Sequence, residues 1–221
     1  MRKKSFQDLV DIFKKLRDPE TGCPWDLKQT HSSLKQYVIE EAYEVVDAID
    51  KGSIELKKEL GDLLLQVMLH SQIGADEKTF DIYEVVDSLA NKLIIRHPHV
   101  FGDKSVKDSE EVLNNWEQIK ESEKKKDESI LDGVPNSMPA LLRAQRISVK
   151  AARVGFEWSN LEEIKDKVLE EVKEFADECV KPDIDKNAMV DEFGDIFFAL
   201  VQLARRLDID AEDALQQSTN K

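Results

Sequence analysis

The chain has 221 residues, with 46 acidic against 32 basic side chains and a formal charge of −14. That balance argues against a nucleic-acid polymer as partner, because tracking phosphates needs a basic stripe. Its two cysteines, Cys23 and Cys179, lie outside any CxxC spacing, which argues against a disulfide framework or zinc site and suits a reducing compartment. The opening MRKKSFQDLV turns polar at once and no 18-residue apolar run follows, so no membrane partner is expected and a cytoplasmic location is. Scarce glycine and proline, with abundant Leu, Glu, Lys and Asp, favour helices over strands.

The first helix is predicted from an N-cap at Ser5 to about Arg17, with Phe6, Leu9, Val10, Phe13 and Leu16 on one face. DPETGCPWD interrupts it. A second helix is predicted from Thr30 or Ser32 to Asp50, where Lys51-Gly52 ends it. Ser53 is the expected cap of a third helix, which runs to about Ile73 with Leu63, Leu64, Val67 and Met68 as core. Thr79 is the expected cap of a fourth, stopped at Arg96 by His97-Pro98. A fifth begins near Ser109 and gives way to ESEKKKDES and DGVPNSMP, the best linker candidate in the chain.

Beyond the linker the pattern begins again. VIEEAYEVVDAI at 38–49 is echoed by VLEEVKEFADEC at 168–179, and KELGDLLLQVMLH at 58–70 by DEFGDIFFALVQL at 191–203. CPWDLKQTHSSL has a looser counterpart in GFEWSNLEEI. The period, about 130 residues, is far beyond that of a solenoid, so the chain reads as two copies of one helical domain. The expected boundaries are 1–125 for the first, 126–138 for the linker and 139–221 for the second.

Each copy carries EExxE followed by ExxD. These are Glu40, Glu41, Glu44, Glu59 and Asp62 in the first copy, and Glu170, Glu171, Glu174, Glu192 and Asp195 in the second. At about 100° per residue, each set of glutamates falls on one helical face. Stacked like charges cost roughly 0.2–0.5 kcal/mol per pair, and Glu40, Glu41 and Glu44 have no Lys or Arg three or four residues away. Lys58 is placed to pair with Asp62 and Lys167 with Glu171. A Glu-rich helix is usually a solvated face. Here, apolar neighbours and recurrence of the whole pattern favour a hard divalent cation with oxygen ligands, Mg²⁺ or Mn²⁺.

Weaker signals surround this pattern. Asn91, Lys92 and Arg96 sit on the fourth helix, where they either reach phosphates or simply suit a helix end. Trp25 either stacks on a base or packs, and Lys28 beside it is a candidate phosphate contact. His97 and His99 lack further zinc ligands and read as structural.

Taken together, EExxE with ExxD, GCPWDLKQTHSSL and NKLIIRHPHVFGD resemble MazG, the all-α nucleoside triphosphate pyrophosphohydrolases, over essentially the whole chain. The tandem arrangement, joined through ILDGVPNSMPALLRAQRISVKAARVGFEW, is similar to the two-domain bacterial type. The resemblance implies a tandem repeat of helical domains whose sites form in helix bundles on homodimerisation. It implies Mg²⁺-dependent hydrolysis of nucleoside triphosphates to monophosphate and pyrophosphate, in nucleotide-pool housecleaning. The implied metal ligands are Glu41, Glu44, Glu59 and Asp62, then Glu171, Glu174, Glu192 and Asp195. Glu40 and Glu170 are implied as further ligands or as bases orienting water, and Trp25, Lys28, Asn91, Lys92 and Arg96 as substrate contacts.

The second copy reaches only Asn220 and Lys221, the counterparts of Asn91 and Lys92. Similar proteins continue there with a basic, aromatic-containing segment that helps hold the triphosphate. The expectation is therefore a second domain cut short at Lys221, either in this sequence alone or in the natural protein, that keeps its carboxylates and hydrolyses poorly. Two other classes compete. One is a non-catalytic nucleotide- or partner-binding scaffold. The other is a ferritin-like di-iron bundle, disfavoured because neither copy has the Glu-x-x-His pairs that architecture uses.

Overall fold

A computed structural model of the protein describes residues 2–123, 129–183 and 185–221. Among the described residues the chain is helical, with no strand, and it divides into two compact units, Met1–Glu123 and Lys124–Lys221. Residues 126–128 of the expected linker lie outside the described residues. The remainder, 129–138, belongs to the second unit, where the Lys150 ammonium donates to the carbonyls of Ile130 (3.2 Å) and Asp132 (2.5 Å).

The first unit begins with α1 (Phe6–Leu16), which Ser5 and Asp8 close with a reciprocal capping box. The break after it contains a short helix that periodicity is too coarse to show, α2 (Pro24–Lys28), started by a proline at its first position. α3 (Lys35–Lys51) begins later than expected, because Thr30 and Ser33 bond reciprocally across a separate turn ahead of it. Gly52, at φ 103°, then reverses the chain directly into α4 (Ser53–Glu77), so Ser53 is the first helical residue and not the cap.

α4 runs past the expected stop at Ile73. Thr79 does not start the next helix. Its hydroxyl and backbone N–H both donate to the Gly74 carbonyl and so end α4. Asp81 caps α5 (Ile82–Arg96), accepting from the backbone of Tyr83 and Glu84. Pro98 opens a further short helix, α6 (Pro98–Phe101), followed by α7 (Ser109–Ser122).

α1 and α5 pack on the C-terminal half of α4, around Val10, Phe13, Leu34, Met68, Leu69, Ile73 and Ile82. Only Met68 of the four residues expected as core on α4 is fully buried. Leu64 and Val67 are each 40% exposed and Leu63 is half-buried, because they turn away from α1 and α5.

The second unit repeats this order. α8 (Ala140–Arg153) is followed by the hairpin of α9 (Leu161–Cys179) and α10 (Lys186–Arg206), then by α11 (Ala211–Thr219). α8 and α11 pack on α10. A polar clamp replaces much of the apolar core. Arg205 on α10 donates from Nε to the buried Ser148 hydroxyl (2.7 Å) and from Nη2 to both oxygens of Glu157 (2.7 and 2.6 Å). Trp158 next to it donates to Gln202 at 2.7 Å. No helix among the described residues is long and apolar enough to cross a membrane.

Burial opposes ionisation of Glu157, but Arg205, the Trp158 backbone N–H and Arg206 together outweigh it and hold the carboxyl below the ordinary value of 4.5. The stabilisation is therefore full above pH 4.5 and drains away as pH falls through the depressed value. Glu157→Gln is expected to lower stability at pH 7 by about 1–2 kcal/mol, the range for a partly solvated charge-assisted pair. Urea titrations at pH 7 and pH 3 check this, with the gap between wild type and variant closing at the lower pH.

Candidate metal centres

The two helical hairpins bring together what lies apart in the sequence. Between α3 and α4, carboxylate oxygens of Glu41, Glu44 and Glu59 lie within 4.8 Å of one another. Between α9 and α10, oxygens of Glu171, Glu192 and Asp195 do the same. Each group joins one or two residues of EExxE to one or two of ExxD, and each sits about midway along the helix that carries EExxE. In the first unit the core residues of α4 begin about 14 Å beyond Glu59, at 1.5 Å per residue to Met68.

The electrostatics of the first group are those of crowded like charges. The Glu59 carboxylate beside Glu44, then burial and the charges of Glu41 and Glu40, raise its pKa above the ordinary 4.5. Glu59 is shifted the other way, chiefly because Lys58 donates to its Oε1 at 2.9 Å. Lys58 is thus paired with its neighbour Glu59 and not with Asp62. The other oxygen, Oε2 of Glu59, is buried and has no hydrogen-bond partner. A buried carboxylate oxygen without a partner is costly, and a divalent cation among three carboxylates satisfies it. The donor set of hard oxygens fits Mg²⁺ or Mn²⁺.

The second group differs. Burial and the like charges of Glu174, Glu171, Asp195 and Glu178 raise the pKa of Glu192. Its most buried member, Glu171, is not left alone, because Lys167 reaches it at 2.7 Å and also holds Glu170 at 3.1 Å. Contact with both glutamates pushes the pKa of Lys167 up. The i,i+4 spacing signals the Lys167–Glu171 pair in the sequence; the bridge to Glu170 becomes visible only in the structure.

Several expected residues stand outside the two groups. Glu40 and Glu170 are exposed at their margins, Asp62 is half-buried, and Glu174 enters only through its charge on Glu192. Trp25 meets Tyr37 edge-on at 5.9 Å and Lys28 is exposed at the end of α2. Asn91 donates to Asp87 (2.9 Å), and Lys92 is exposed beside it. Arg96 ties α5 to α7 through Glu123 and the Trp116 ring. His97 accepts Trp116 edge-on and bonds the Leu93 carbonyl, the structural role expected of it. Asn220 and Lys221 are exposed at the end of α11. Charge and spacing did not signal the parallel rings of His31 and His70, whose Nδ1 atoms lie 2.8 Å apart.

These features define an all-α class in which two helical hairpins each gather three carboxylates. Comparison with known proteins narrows the class. The model of the MazG nucleotide pyrophosphohydrolase domain matches residues 29–101 and again 159–221. The chain is 46% identical over 216 residues to the nucleoside triphosphate pyrophosphohydrolase of Escherichia coli strain K12, covering 96% of this chain and 82% of the relative. It is 46% identical over 218 residues to the nucleoside triphosphate pyrophosphohydrolase/pyrophosphatase MazG of Thermotoga maritima, covering 98% and 82%. It is also 49% identical over 218 residues to the uncharacterized protein YabN of Bacillus subtilis, of which it spans 44%. The chain belongs to the MazG family.

The raised pKa of Glu44 fixes the sign of a pH effect on the metal-free protein. Its proton stabilises the fold below the ordinary value of 4.5, and that stabilisation is lost as pH rises through the raised value. In chelator-treated protein, Glu44→Gln should therefore melt above wild type at pH 7.5, with the gap closing towards pH 4.5. Thermal unfolding followed by circular dichroism checks the trend.

Proposed function

We propose that this chain hydrolyses nucleoside triphosphates to nucleoside monophosphate and pyrophosphate, using Mg²⁺ held at the carboxylate groups, in housecleaning of the cytoplasmic nucleotide pool. The family supports the reaction. The observation that carries the metal reading is the buried, partnerless Oε2 of Glu59 among the carboxylates of Glu41 and Glu44. Bound there, Mg²⁺ would polarise the α-phosphate, lower the pKa of a water and neutralise the departing pyrophosphate.

The chain's own residues have distinct tasks. Glu41, Glu44 and Glu59, with Asp62 completing the first set, hold the cation between α3 and α4. Glu171, Glu192 and Asp195, with Glu174, do so between α9 and α10. Glu40 and Glu170, exposed at the margins, orient the attacking water and take its proton. Trp25 offers a face to a base, while Lys28, Asn91, Lys92 and Arg96 stand for the phosphates in the first unit and Asn220 and Lys221 in the second. No covalent nucleophile is invoked. Arg96 must exchange Glu123 for phosphate to take part.

A homodimer completes the proposal. α3 exposes Val46 and Ile49, α4 exposes Leu60 and Leu64, and α5 exposes Val86, Leu89 and Leu93. Stripes of this kind want a partner helix.

Two outcomes are expected. With Mg²⁺ and a panel of triphosphates, chromatography should find monophosphate and pyrophosphate. Glu59→Gln combined with Glu192→Gln should cut turnover more than about 100-fold, the scale of losing a metal ligand or its support. Nucleotide binding without turnover in wild type would favour the scaffold reading instead. Separately, light scattering should return twice the chain mass. Val46→Glu with Leu64→Glu should weaken the dimer more than about tenfold, since both introduce charges into a buried apolar face.

A further inference from the structure

The two cradles have the same origin in the sequence and opposite solutions to their charge. Aligning VIEE at 38–41 with VLEE at 168–171 places Tyr37 where the second copy has Lys167. Tyr37 is occupied with the Trp25 ring and brings no charge to the first cradle. Lys167 instead bridges Glu170 (3.1 Å) and Glu171 (2.7 Å), and Glu171 is a member of the second carboxylate group. Its side chain is one-third exposed, at 34%, so it lies against the cradle and is not simply a surface charge.

The lysine of the first cradle is of another kind. Lys58 reaches only Oε1 of Glu59, is 66% exposed, and leaves Oε2 buried without a partner. Its counterpart in the second copy is Asp191, so the lysine that contacts the most buried glutamate lies on opposite helices of the two hairpins. The first cradle therefore keeps a demand for a further positive charge at the buried Oε2 of Glu59, since Lys58 takes only Oε1. The second has met that demand from within the chain.

We propose that Lys167 is an internal countercharge that competes with the divalent cation for Glu171, so that the two cradles load in sequence as cation concentration rises, the first before the second. The proposal rests on the metal reading given above. A cation entering the second cradle must displace a charge-assisted contact that has already compensated the desolvation of Glu171. One entering the first replaces nothing at Oε2 of Glu59. The geometry leaves Lys167 room to withdraw, since its exposed third already faces solvent.

The test titrates the full chain with Mn²⁺ and follows free Mn²⁺ by electron paramagnetic resonance. Wild type should show two classes of site, and Glu41→Gln should abolish the tighter one. Lys167→Met should tighten the weaker class roughly tenfold, the scale of one charge-assisted hydrogen bond, and leave the tighter class unchanged. Lys167→Gln should shift it in the same direction, and Lys167→Arg should behave as wild type. A Lys167→Met or Lys167→Gln protein whose weaker class stays within twofold of wild type, or binds more loosely, overturns the proposal while the metal reading stands. Loss of the tighter class with Glu171→Gln and not with Glu41→Gln also overturns it. Absence of saturable binding in every variant overturns the metal reading itself.

Discussion

Crowded carboxylates between paired helices are the constraint on which the rest of this protein depends. Oxygens of Glu41, Glu44 and Glu59 lie within 4.8 Å of one another, and the carboxylates around Glu44 oppose its ionisation. Helix hairpins can bear that strain only because their other halves are tied down elsewhere. α4 does this by carrying the first unit's core at one end, on Met68, Leu69 and Ile73, and the carboxylate at Glu59 near the other. Placing the packed core and the crowded charges at different points along one long helix lets the charged part be unfavourable without unfolding the rest.

The second unit solves the anchoring problem differently. α10 is fixed through Arg205, which binds Ser148 of α8 and both oxygens of Glu157, with Trp158 and Gln202 beside them. A polar clamp of this kind is directional where an apolar core is not, so it specifies how α8 sits on α10. The contrast extends to the cradles, where a lysine on α9 neutralises one and a buried oxygen is left open in the other. Duplication supplied two scaffolds, and small substitutions made them electrostatically unequal.

Much of this was legible before any coordinates. The repetition of EExxE and ExxD pointed to two domains and to the carboxylates, and the combined motifs resembled the family to which the chain belongs. Helix ends were legible only where one local interaction decides them. Ser5 caps α1 as expected because its bond to Asp8 is local. Thr79 and Ser53 have the right chemistry for caps, yet Thr79 serves the helix before it and Ser53 lies inside one, since Gly52 takes the turn.

The sequence by itself determined the helical class, the duplication and the ten carboxylates, because periodicity, spacing and charge are local properties of the chain. The tertiary structure decided which of them meet. It drew Glu41, Glu44 and Glu59 together, and likewise Glu171, Glu192 and Asp195, while leaving Asp62 and Glu174 outside these groups. It also turned Leu64 and Val67 outward from the core. Side-chain reach across a helix pair depends on how far each helix is rotated about its axis. That rotation is set by packing against α1, α5, α8 and α11, which no short motif encodes.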